Sequence, residues 1–240
     1  MNKPFFVLLI LICPFIGLAQ ATEQSQMPAD TLINTGPEEE LTDASSSKIG
    51  QVVLLKNNGD ILPLKRLDTL RIHVEPSDDP LISYLSRYMP IDQGTASNLL
   101  ITTDPRTRNT SANKKILILF GIDGLTASDT LSFDAIIYTG SDSNEIKDKV
   151  SQIIFGGLGA ADTLASDLGP FATGSGLNSP GGLRFGFTTA EKLGYDGEYL
   201  RTGIDSIALM AIDSGVAPGI QVLIAKDGQV VYHQTYGYLT

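Results

Sequence analysis

Two stretches of this chain match the pattern Ser-x-x-Lys: Ser45-Ser46-Ser47-Lys48 and Ser111-Ala112-Asn113-Lys114. At the start of a helix that spacing sets a lysine one turn from a serine hydroxyl, where it can help to activate the oxygen as a nucleophile. Both matches lie in polar, loop-like sequence. Neither has the second Tyr- or Ser-bearing motif or the Lys-Thr-Gly strand that completes such a site. Acid–base chemistry at neutral pH would call on histidine, and there are two. His73 falls inside an apparent strand and His233 in the last apolar run, so both read as packing or surface residues. The acidic pairs Asp78-Asp79 and Asp142 with Glu145 sit where turns end and helices begin, and read as solvated helix-start residues. No ligand spacing for a metal is present. The one cysteine, Cys13, lies in an N-terminal apolar run. No catalytic, cofactor-binding or metal-binding residue is therefore assigned, and no cofactor is expected.

That N-terminal run is itself informative. Lys3, the apolar stretch Phe5 to Leu18 and Ala19-Gln20-Ala21 have the order of a cleaved secretory signal peptide. The stretch is shorter than the roughly 20 residues of a spanning helix, so residues 1–21 predict export to a periplasm or the exterior, with no membrane span after cleavage. The rest of the chain then has no cysteine, hence no disulfide, thiolate metal site or cysteine nucleophile. Net charge is −10, which disfavours nucleic acid as a partner, since that binding draws on Lys and Arg.

The elements that must position any chemistry begin after a polar, acidic leader, residues 22–46. Val52 to Leu55 is a short apolar run closed by the turn cluster Asn57-Asn58-Gly59, and "TLRIHVEP" is a second strand candidate. Leu81, Tyr84, Leu85 and Tyr88 recur at helical spacing. "KKILILF" and "FDAIIYTGS" are continuous apolar runs, the pattern of strands buried on both faces. Ile146, Val150, Ile153 and Ile154 share another helical face, ended by glycines. This alternation predicts an α/β sheet layered by helices. Neither phosphate-binding glycine pattern, G-x-x-x-x-G-K-[ST] nor G-x-G-x-x-G, occurs in it. Residues 169–186, rich in Gly, Ser and Pro, read as a linker. Beyond it, Leu200, Ile204, Ile207, Ala208 and Ala211 define one helix face, and two apolar runs flank the turn Lys226-Asp227-Gly228 as a hairpin.

"VVLLKNNGDILPL" (Val52–Leu64) and "QIIFGGLGA" (Gln152–Ala160) together resemble the C-terminal domain of family 3 glycoside hydrolases. Leu164-Ala165-Ser166 departs from the Leu-Pro-Val usual there. The resemblance implies a three-layer αβα sandwich over residues 47–168. The stretch "APGIQVLIAKDGQVVYHQTYGY" and the helix before it resemble the opening of serine β-lactamases and penicillin-binding-protein-like hydrolases, which implies the helix plus β-hairpin of an incomplete domain over 187–240. The two resemblances in this order are similar to exported fusions of a β-N-acetylglucosaminidase-like enzyme with a β-lactamase-like domain.

Such a glycosidase acts through an Asp on a preceding (β/α)₈ barrel, with a barrel His-Asp pair as acid/base in the N-acetylglucosaminidase branch. A barrel needs about 250 residues, and residues 22–46 alone separate the signal peptide from the sandwich. On the hydrolase side Ser-x-x-Lys follows the first two strands by a few tens of residues, beyond Thr240. The expectation is a piece of an exported hydrolase fusion, without its catalytic cores and inactive alone, its residues beyond Gly186 loosely packed. The alternative is a non-catalytic binding or scaffold module for a barrel-bearing partner or a cell-wall glycan.

Overall fold

The computed structural model describes residues 50–91, 97–107, 112–121 and 125–238. The signal peptide, the leader, Ser45–Lys48 and Ser111 lie outside them. Strands β1 (Val52–Asn57), β2 (Ile72–Glu75), β3 (Leu99–Thr102), β4 (Lys114–Phe120) and β5 (Ala135–Thr139) form one sheet in the order β1-β5-β4-β3-β2. β2 to β5 run parallel, and β1 pairs antiparallel with β5 as an edge. The molecule is thus mixed α/β, with parallel and antiparallel pairing.

Period-two alternation divides β1, β4 and β5 between two cores. Ile116 and Ile118 of β4 join Val52, Leu54, Ile72, Val74, Leu99, Ile101 and Ile137 on one face. Leu117 and Leu119 join Val53, Leu55 and Ile136 on the other. All four β4 residues are completely buried, each contributing about 1.5–3 kcal/mol of transfer free energy. This is why their run shows no polar alternation.

The first face is covered by helices α1 (Asp79–Ser86) and α3 (Asn144–Phe155), through Leu81, Leu85, Ile146, Val150, Ile153 and Ile154. Asp78 caps α1 by accepting from the Leu81 N–H at 3.0 Å, and Ser143 caps α3 through the Ile146 N–H. α3 stops at Gly156, whose φ of 77° suits glycine. A Cβ there would stand 2.9 Å from that of Pro63.

The second face carries less helix than the sequence pattern predicts. The four-residue α2 (Ala127–Thr130) lies between Leu125 and Phe133, and Leu164, Leu168 and Phe171 of an irregular segment complete the cover. Residues 169–186 do lack helix and long strand, yet they are tied down along their length. The Leu177 N–H donates to Leu54 O at 2.7 Å, Ser179 exchanges bonds with Ala160, and the Leu183 N–H donates to Gly156 O at 2.9 Å. Arg184 donates to the carbonyls of Leu64, Phe155 and Lys65 at 2.7, 2.6 and 3.0 Å. Gly, Ser and Pro here allow close docking rather than a free tether. Gly159 shows the tightness, because a Cβ would meet Ser179 O at 2.7 Å.

A second sheet follows, from β6 (Gly186–Phe187), β7 (Gly219–Lys226) and β8 (Gln229–Gly237), in the order β6-β8-β7. Helix α4 (Gly197–Asp213) packs on it, with Ile204, Ala208, Ala211 and Ile212 against Ile220, Val222 and Tyr236. Ile207, expected on that face, is 71% exposed. It sits about 100° around the helix from Ala208, and the narrow hairpin does not reach so far.

Candidate functional site

A cleft of about 570 Å³ lies where the second sheet meets α3. One wall is a single face of α3, with Glu145, Asp148, Lys149 and Gln152 at i, i+3, i+4, i+7. The opposite wall is the stretch in which β6 leaves the sheet, Phe187 to Thr189, together with β8.

Gln152 closes the floor. Its Oε1 accepts from the Phe187 N–H at 2.8 Å, and its Nε2 donates to Phe187 O at 2.9 Å and to Asp148 Oδ1 at 3.1 Å. One uncharged side chain thereby stands in for a β-ladder partner. The Phe187 ring meets Tyr88 edge-on at 5.4 Å and the Arg87 guanidinium at 5.1 Å, and Tyr88 stacks on Phe155 at 4.7 Å. Tyr88 donates its hydroxyl to Phe185 O at 3.1 Å. Burial, aided by the negative charge of Asp148, pushes that hydroxyl well above the ordinary tyrosine range, so it stays a donor.

Each cation that lines the cleft pairs with a carboxylate, Asp162 from outside the lining. Arg87 pairs with Asp148 at 2.9 Å, Lys192 with Glu145 at 2.6 Å, and Lys149 with Asp162 at 3.4 Å. The Lys192 bond holds the Glu145 carboxyl below its usual range. With its cations paired the site offers no excess charge for an anion.

The C-terminal ends of the parallel strands, where sheets of this class commonly hold ligands, carry a buried ion pair. Lys147 pairs with Asp78 at 2.7 Å, both side chains at most 20% exposed, and lies 5.5 Å from the Phe120 ring centre. Asp78 is thus a helix cap, as its position suggested, but less solvated than expected. Thr139 donates to Ser141 O at 2.6 Å at the same end. A second cluster fastens α4 to β8. Asp205 Oδ1 accepts from Tyr236 at 2.5 Å and Tyr232 at 3.0 Å, and Oδ2 from Arg201 at 2.8 Å.

The remaining residues weighed from the sequence are dispersed. His73 is on β2 at the sheet edge, with Nδ1 buried and unpartnered. His233 is on β8, hydrogen-bonded to Gln221 at 2.7 Å at the cleft margin. Lys114 begins β4. Among the described residues no group of three His, Cys, Asp or Glu could hold a metal ion, and no helix is long and apolar enough to cross a membrane. The residues that build the cleft floor went unnoticed in the sequence. A trace existed in Gln152, which sits beside Ile153, Ile154 and Phe155 and is 3% exposed. A buried glutamine needs partners, but only the fold names Phe187. Compared with family models, curated proteins and solved structures, the chain matches none.

Proposed function

We propose that the chain is part of an exported hydrolase. In this reading it joins a family 3 glycosidase-like αβα sandwich domain to the opening of a serine β-lactamase-like domain, and itself does no chemistry. The observation that carries the reading is the element order. A largely parallel five-stranded sheet under α1 and α3 is followed, after the docked segment and the short strand β6, by a 17-residue helix and the β7–β8 hairpin, the order that both sequence resemblances imply. Export rests on residues 1–21 alone.

The test is an assay of the purified chain against a chromogenic N-acetylglucosaminide and a chromogenic cephalosporin. Neither should be hydrolysed above background. A rate that a single point substitution abolishes would overturn the reading. A non-catalytic binding module, for a barrel-bearing partner or a glycan, is the second reading, and the formed cleft between α3 and β8 favours it.

A further inference from the structure

The cleft follows a strand edge. Its lining takes five successive residues of β8, Gln229 to His233. Successive side chains of a strand point to opposite faces, so a cavity bordered by all five runs along the edge of the strand and not over one face. On that edge β8 pairs only with the two residues of β6, Gly186 with Gln229 and Phe187 with Val230. The Thr188 N–H then donates to Val230 O at 3.0 Å. Beyond that bond, among the described residues, no backbone group pairs with β8 on this side. β8 continues to Gly237, and its other edge pairs with β7 from Gln229 to Gly237 except at Val231, where a bulge shifts the register.

From this geometry we infer that the cleft is a docking site for an extended peptide segment of a partner protein. The segment adds as a strand to the free edge of β8 from Val231 onward, between that edge and α3. Main-chain hydrogen bonds give such strand addition its affinity. The new strand continues the sheet where β6 leaves it. The opposite wall is fixed in place, because Gln152 holds Phe187 on both its backbone groups and Arg87 and Tyr88 hold the ring. A preformed groove spares the peptide part of the ordering cost. The volume falls in the range of about 300–1,000 Å³ typical of ligand sites. Since the groove charges are paired, the peptide is recognised by its backbone and alternate side chains, and not by net charge. β7 is the other edge strand of this sheet.

The test uses the full chain and a fluorescein-labelled heptapeptide of alternating Thr and Val with a lysine at each end. A second copy of the peptide is N-methylated at alternate residues, which removes donors without shortening the chain. The unmethylated peptide should bind saturably below about 1 mM, and methylation in the correct register should weaken it at least tenfold. Bound peptide should slow amide exchange at Val231–Gln234. Thr189→Trp, at an exposed groove position, should abolish binding. The methylated peptide provides the test even if that variant misfolds. No binding at about 1 mM, equal binding of both peptides, or protection confined to β7 would overturn the proposal. So would binding that appears only once residues 22–46 are deleted, since the groove would then belong to the chain's own leader.

Discussion

Asp205 accepts from Tyr236, Tyr232 and Arg201 together, and the Tyr236 bond above all holds its carboxyl below the ordinary aspartate range. A carboxylate depressed by folding adds stability above its unfolded pKa, about 3.9, and that stability is lost as pH falls through the lower folded value. Replacing it with asparagine keeps an acceptor but removes the charge. Asp205→Asn should therefore unfold α4 and its hairpin more readily than wild type at pH 6, with the gap closing towards pH 3. Tyrosine fluorescence during urea titration at both pH values measures this. A gap independent of pH would show that the bonds act through geometry alone. Only the fold makes Asp205 distinctive. In the sequence it is one of several helix-borne acids, and Tyr232 and Tyr236 read as ordinary strand residues, because their convergence requires the hairpin to lie under α4.

Helix α4 and strand β4 show the two extremes of burial. β4 was legible because a strand buried on both faces must be apolar throughout, and Ile116 to Leu119 satisfy both cores. α4 was legible as a helix, with Asp196 capping it through the Tyr199 N–H at 2.9 Å, but not in the extent of its buried face. Ala208 is its one fully buried residue, while Ile207 and Met210 are 71% and 65% exposed. Stability differs accordingly between elements. Amide exchange in α4 should be at least tenfold faster than in β4 under native conditions, as read by mass spectrometry of peptic peptides. Equal protection would mean that the exposed apolar side of α4 is covered in solution. β3 was missed altogether, since Leu99–Thr102 is too short to show a period. Its neighbours β2 and β4 define it.

At the scale of the whole molecule, the joint between the two sheets decides whether they move together. Residues 169–186 read as a linker from composition alone. The structure instead docks them through Arg184 and Leu177, and Gln152 then bonds both backbone groups of Phe187. Loss of one such side chain leaves buried partners unsatisfied, at about 1–3 kcal/mol. Gln152→Ala should leave the first sheet folded but open the chain to protease near residues 184–190, with cleavage at least tenfold faster than in wild type. Unchanged cleavage would show that the rest of the segment suffices to hold the joint.

Sequence alone determined the elements whose residues answer to local rules: the doubly buried strands, the capped helices α1, α3 and α4, and the turn between β7 and β8. Caps, periodicity and turn residues act within a few positions of the chain, so they are written locally. Tertiary structure decided which face of each helix is covered, that the glycine-rich segment is docked, and that α3 and β8 leave a cleft between them. Those features depend on contacts such as Gln152 with Phe187, Arg184 with Leu64 and Asp205 with Tyr236. Their partners lie 31 to 120 residues apart, and no local pattern records that they meet.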